Sequence, residues 1–258
     1  MSNTIQRELQ RYPRTGRFLL GRLRNALTPG ERQLIEDLIE TEDYLQGGEL
    51  IARRGEELTA STILIEGFAI RVLQRSGRSH IVGLQIPGDF IDLNGFPLKR
   101  LDHDLYALGP AKVGRVSHAR LREVLDKHPH LARLLWFSTL LDSAISREWI
   151  CKLEDLTATQ RVAHVFCEIC LRLDMVGLDG PNGFSLPLTQ AQLASMCGIT
   201  PVHMSRALRR LRGDTGVTFR HGRLDCADIG ELATYCEFDA SYLYGPGELQ
   251  FPGGDYSD

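Results

Sequence analysis

The run from Leu188 to Arg212, LTQAQLASMCGITPVHMSRALRRLR, leaves its backbone few choices. Thr189 and Gln192 have the Thr-x-x-Gln spacing of a capping box, which satisfies two open amides reciprocally, so a helix begins just after Thr189. Leu193 and Met196 form its buried face. Gly198 supplies the left-handed residue that a tight turn demands. Thr200 then caps a second helix, and Pro201 fits its first position, where no N–H is needed. Met204, Leu208 and Leu211, spaced four and three apart, line one face of that helix. Two helices joined by a short glycine turn make a helix-turn-helix.

The opposite face of the second helix carries Val202, His203, Ser205, Arg206, Arg209 and Arg210. Between Thr200 and Arg223 six arginines face one acid, Asp214, whereas residues 224–258 hold eight acids and no Lys or Arg. The chain as a whole has a formal net charge of −3, so the basic patch is local and points to an anionic partner. An arginine fork bonds guanine bidentately in the major groove, while hydroxyls and open N–H groups at helix starts suit phosphate oxygens. Thr189, Gln190, Thr200 and Pro201, at the two helix starts, complete the candidate contact set with double-stranded DNA. VTFRHGRLDC follows as two β-prone runs around His221-Gly222, a hairpin with Arg220 and Arg223 near its tip. Beside a helix pair it makes a winged helix, whose tip lies along the sugar-phosphate backbone.

The remainder of the 258 residues is long enough for a second modest domain. Residues 1–26 read as polar and basic, with Pro13 and Gly16 breaking any long helix, and a helix starts at Thr28-Pro29. From about Tyr44 to Ser117, the β-prone runs STILIEG, AIRVLQ, HIVGLQI and KVGRVS are separated by glycines such as Gly67 and Gly88, the spacing of an antiparallel sandwich or roll. A short helix then breaks at Pro129 before one of some 25 residues. Leu131, Leu134, Leu141 and Ile145 recur there at a/d spacing, with Ser138 interrupting, which predicts a homodimer seam, with a purely intramolecular core helix as the alternative. A further helix runs from Thr157 to about Met175, GLDGPNGF is a loop, and the Gly-rich acidic tail is expected to be loosely ordered.

With 43% hydrophobic and 24% charged residues the chain is an ordinary soluble one. Its longest early apolar run, FLLG, is too short for a signal peptide or a membrane span, which predicts a cytoplasmic protein without a membrane partner. Six cysteines, none before Cys151, make no disulfide framework. Cys167 and Cys170 have CxxC spacing, but Val162, Val165, Phe166, Ile169 and Leu173 mark a buried helical face around them; they read as buried thiols, with a redox or metal role as the alternative.

In this order of parts the chain resembles the Crp/Fnr family of bacterial transcription regulators over about residues 25–244. LIARRGEELTASTILIEGFAI and LQIPGDFIDL look like that family's cyclic-nucleotide-binding β-roll, the long helix like its dimerisation helix, and the winged helix like its DNA-binding end. The resemblance implies an α+β fold: an N-terminal antiparallel, jelly-roll-like β-roll with its preceding helices (1–117), a dimerisation helix region (118–156), a winged helix-turn-helix (157–244) and a tail (245–258). It makes the second helix of the pair the recognition helix, with Ser205 and Arg206 matching the end of the family's E-x-x-S-R motif and Arg206 the foremost base contact. Val202 stands at the glutamate position and can touch a thymine methyl but not accept from cytosine. The T-P-V-H sequence resembles a subgroup in which His203 is a further contact.

The sensor part departs from the family. Members that bind cyclic AMP hold its phosphate with an arginine and a Ser/Thr; the matching LKRLDHDLYALG offers Asp102, His103 and Asp104, which would repel it, and Lys99 or Arg100 only after a shift of register. The sequence therefore argues against a cyclic nucleotide, and against the family's N-terminal iron-sulfur cluster for want of cysteines. His80 and His103 lack a spacing that singles out haem. Metal cupins use an H-x-H pair, of which only His103-Asp104 is present, and no Walker loop, G-x-S-x-G or HExxH occurs, so neither a metal site nor a catalytic constellation is expected. The expected function is a homodimeric DNA-binding regulator that meets RNA polymerase if it activates. The competing reading is a ligand- or redox-sensing module whose winged helix docks protein.

Overall fold

The computed structural model describes residues 2–178 and 183–246. Residues 179–182 of the loop GLDGPNGF and 247–258 of the acidic tail lie outside the described residues. Helix α1 (Ser2–Arg11) leads into a series of turns ending in a 3₁₀ turn at Arg24–Ala26. Tyr12, Phe18, Leu19 and Leu23 are all buried, so the segment read as a polar leader is docked on the body. Turns present apolar residues with neither a two-residue nor a 3.6-residue period, which hides them from pattern reading. Arg24 closes this layer, bonding Glu8 at 2.7 Å and lying 5.2 Å from the Tyr12 ring centroid. Helix α2 (Pro29–Leu38) starts at a capping box of Thr28 and Glu31.

Five antiparallel strands follow: β1 (Thr41–Leu45), β2 (Leu50–Ala52), β3 (Ala60–Arg75), β4 (Arg78–Gln85) and, after a short helix α3 (Gly95–Leu98), β5 (Asp104–Ser117). Their order is β1-β5-β3-β4, with β2 also on β5. STILIEG and AIRVLQ are one strand here, not two. Gly67, between them, has φ +79 and sits at a bulge where the register against β5 shifts. A Cβ there would lie 2.3 Å from the Pro110 carbonyl oxygen, so only glycine lets the strand bend without ending. The bent strands enclose one apolar cluster, with Leu64, Ala69, Ile91, Leu105 and Val113, while Ile63, Ile65, Ile70 and Val72 belong to the larger core shared with the helices.

Helix α4 (His118–Lys127) precedes the long helix α5 (Pro129–Asp155), and Thr157 caps α6 (Ala158–Met175) through a second Thr-x-x-Gln box. Here the predicted dimer seam needs correction. Leu131, Leu134, Leu141 and Ile145 are 0, 0, 8 and 9% exposed and belong to the chain's own core. The outward face instead shows Trp136, Leu140, Ile150 and Leu153 at 64, 49, 62 and 40% exposure. Spacing identifies residues that share a face but not what that face meets, and α5 is apolar on two faces.

The chain closes with β6 (Gly183–Ser185), α7 (Gln190–Met196), α8 (Pro201–Thr215), β7 (Thr218–Arg220), β8 (Arg223–Asp225) and α9 (Ile229–Tyr235), then a 3₁₀ turn at Ser241–Leu243. The small sheet runs β6-β8-β7, so Gly183 and Phe184, assigned to the loop, form an added third strand. The two halves touch at defined points: the Ile81 N–H donates to Ser195 Oγ at 2.9 Å, and Arg22 Nε to the Leu243 carbonyl at 2.8 Å.

Candidate nucleic-acid interface

Thr189 Oγ1 accepts from the Gln192 N–H, whose side chain reaches back to Thr189 N–H at 2.9 Å, and α7 begins there. Gly198 takes φ +64 in the turn, Thr200 Oγ1 accepts from the His203 N–H at 3.2 Å, and Pro201 opens α8. Met204, Ala207 and Leu211 bury the inner face. The outer face is therefore fixed by local chemistry alone. Thr189, Gln190, Thr200, Pro201, Val202, His203, Ser205, Arg206, Arg209 and Arg210 are all exposed on it or beside it, Val202 by 65%. Arg210 is shared with Asp214 one turn on, at 3.5 Å.

In the wing, Arg220 pairs with Arg223 across a two-residue turn in which His221 and Gly222 have φ +50 and +75. Two left-handed residues make the turn whose twist matches a hairpin, so the arginines stand together at its tip. Arg223 Nε is held by Asp225 at 2.8 Å, an acid that the sequence reading did not weigh against it. Exposed guanidinium groups on α8 and at the hairpin tip, flanking one helix N-terminus, suit a phosphate-lined groove.

A second feature lies between the sheet, α5 and α7: a crevice of about 530 Å³ with Arg71, Asp102, His103, Asp142 and Trp149 on its walls. Sequence reading missed Arg71, although a charge inside the apolar run AIRVLQ was the available signal. Arg71 is buried; its Nη1 pairs with Asp142 and its Nη2 donates to the Ile91 carbonyl at 2.8 Å. His103 Nδ1 lies 2.7 Å from Asp102, and its buried Nε2 has no hydrogen-bond partner among the described residues. Burial first, and then the Arg71 charge, hold His103 below the ordinary imidazole range. Asp104 instead accepts from the Arg54 N–H at 2.7 Å, and Lys99 and Arg100 are exposed at the surface. Among the described residues no group of three or more His, Cys, Asp or Glu is arranged to hold a metal ion, and no helix is long and apolar enough to cross a membrane.

The model of the Crp-like helix-turn-helix domain matches residues 160–235, which span α6 through α9. The transcriptional activator protein FnrL of Cereibacter sphaeroides is 28% identical over 182 residues, covering 69% of this chain and 72% of its own. The nitrogen fixation regulation protein FixK of Bradyrhizobium diazoefficiens is 23% identical over 187 residues, 72% of this chain and 77% of its own. The solved structure of FixK2 from Bradyrhizobium japonicum superposes with a TM-score of 0.67 at 22% identity, covering 75% of this chain and 96% of that one. By these matches the chain carries a Crp-like helix-turn-helix domain and is similar over most of its length to Crp/Fnr-type transcription regulators. This regulator binds DNA, and the reading of its winged helix as a protein dock is not favoured. Within it, the basic face of α8 and the wing tip are the parts whose chemistry suits the groove and the backbone of a duplex.

Proposed function

We propose that the regulator binds a two-fold symmetric site as a homodimer, one α8 per half-site, about one helical turn apart. The observation that carries this reading is the outward side of α5. Trp136, Leu140, Ser143, Arg147 and Ile150 follow at alternating spacings of four and three, and all are exposed. Such a stripe is self-complementary across a two-fold axis. The long α5 then becomes the seam, and the α8 helices are held at a fixed separation. Arg206 reads bases, and Arg209, Arg210 and Arg220 meet phosphates. Where the regulator activates, as the name of FnrL says of that relative, RNA polymerase is its further partner. The same reading places it in the cytoplasm and without catalytic activity.

For the crevice we propose an effector other than a cyclic nucleotide. A cyclic phosphate would meet the carboxylates of Asp102 and Asp142, with Arg71 already engaged by Asp142. The residues present do not fit it. We do not propose haem there, although His80 and His103 both line the crevice, nor an N-terminal iron-sulfur cluster, since no cysteine stands before Cys151.

Sedimentation velocity tests the dimer. The wild type is expected to sediment as a dimer, and the double variant Trp136→Glu, Ile150→Glu as a folded monomer that has lost specific DNA affinity. A wild-type monomer at micromolar concentration would remove the symmetric-site model.

A further inference from the structure

Cys167, in the middle of α6, and Cys236, directly after α9, place their sulfurs 3.9 Å apart although 69 positions separate them in sequence. They are 1% and 0% exposed. Cys236 also donates to the Leu232 carbonyl at 3.2 Å, which fixes its side chain toward α6. Closing a disulfide needs the sulfurs to approach to about 2.05 Å, a shift of about 2 Å that side-chain rotation and a small movement of the end of α9 can supply.

What moves with Cys236 is its neighbour Tyr235. The Tyr235 hydroxyl donates to Asp214 Oδ2 at 2.9 Å near the end of α8, and the same oxygen lies 3.5 Å from Arg210 Nε on the basic face. The Tyr235 carbonyl accepts from Gln160 Nε2, at the start of α6, at 3.4 Å. A pull on the end of α9 is thus handed to the recognition helix through two polar contacts. The bond would also enclose α7, α8 and the wing in one covalent loop.

We infer that Cys167 and Cys236 form a reversible disulfide on reaction with a peroxide, and that the bond weakens DNA binding. In the first step one thiol sulfur attacks the peroxide O–O bond, becoming a sulfenic acid as its proton leaves with the departing oxygen in water. In the second step the other thiol attacks that sulfur; the S–S bond forms, the S–O bond breaks, and the sulfenic oxygen leaves as a second water. Two thiols and one hydrogen peroxide give one disulfide and two waters, the sulfurs losing the two electrons that the peroxide gains. The pair is slow by construction. The hydrogen bond with Cys236, then burial, then the nearby thiols of Cys170 and Cys226 hold the proton on Cys167, so it answers sustained rather than brief oxidation.

The test uses the full chain and hydrogen peroxide, with exposed Cys151 as the internal marker that oxidant has acted. After alkylation under denaturing conditions and proteolysis, the expected product is a peptide pair linked through Cys167 and Cys236 that dithiothreitol separates. The oxidised protein is expected to bind a duplex it selects from a random pool roughly tenfold more weakly, within the range of allosteric couplings. Cys236→Ala, or Cys167→Ser should that variant fold poorly, is expected to keep its affinity through the same treatment. Oxidised Cys151 alongside alkylated Cys167 and Cys236 would overturn the proposal. A cross-link that leaves affinity unchanged would overturn the regulatory half, which rests on α8 as the DNA-reading helix, and would keep the disulfide itself.

Discussion

Arg172 of α6 reaches Asp89, in the turn after β4, at 2.9 Å, and the same guanidinium is held by Glu168 at 3.2 Å. The contact joins the DNA-binding half to the sheet half, and Arg172 and Glu168 are 3% and 1% exposed. Removing one partner of a buried ion pair leaves a charge without compensation. Arg172→Met is therefore expected to lower stability by about 3–5 kcal/mol. Asp89→Asn, which keeps an acceptor beside Arg172, is expected to cost less. Urea denaturation of both variants measures this, and a loss under about 1 kcal/mol for Arg172→Met would mean that the junction is not an energetic one.

Stability against pH has a marked contributor in Asp92, which is 1% exposed and accepts from the Thr62 hydroxyl at 2.8 Å. Burial pushes its carboxyl up to about 6, against the pull of the Thr62 hydrogen bonds and of Arg115 and Arg71. The folded value lies above the unfolded one, so this stability is fully present below the unfolded carboxyl range and is lost as pH rises through about 6. Between about pH 4 and pH 7 the wild type is expected to lose up to about 3 kcal/mol relative to Asp92→Asn. Paired urea titrations across that interval check it; parallel curves for the two proteins would refute it.

Arg206 stands exposed on the outer face of α8, two positions past the buried Met204. A bidentate contact to one base carries discrimination, whereas phosphate contacts do not. Arg206→Ala is expected to lower affinity for a selected duplex by about 1–3 kcal/mol with random-sequence binding nearly unchanged. Anisotropy titrations on the two duplexes decide the matter, and an equal loss on both would remove Arg206 from the base-reading role.

Arg220, at the wing tip, is expected to act on the backbone alone. Arg220→Ala should reduce the slope of log affinity against log salt by about 1 without altering sequence preference. A changed selected sequence at unchanged salt dependence would place Arg220 in a groove instead.

The helix pair was legible because its chemistry is local. Thr189 with Gln192, Gly198, and Thr200 with Pro201 act within a few residues, so their spacing fixes geometry before any packing is known. The long helix was legible in extent and not in orientation. Leu131 and Trp136 are both plausible seam residues by type, and only the sheet behind α5 decides which of them faces inward. Tyr12 and Phe18 were lost because turns carry no period. Gly67 looked like a break because a bulge and a turn ask for the same residue. Arg71 passed unnoticed because its partner Asp142 lies 71 positions away.

Arg22 and the Leu243 carbonyl that it binds are 221 positions apart, and Phe18, Leu19 and Leu23 share a core with Met175, Val176 and Leu243. On a ribosome adding about 5–20 residues per second, the early turns therefore wait many seconds for the surface they cover. During that time their apolar side chains lack the surface that buries them, the condition that makes folding intermediates prone to aggregate. The docked leader is thus a kinetic debt of this arrangement: it leaves the ribosome early and settles late.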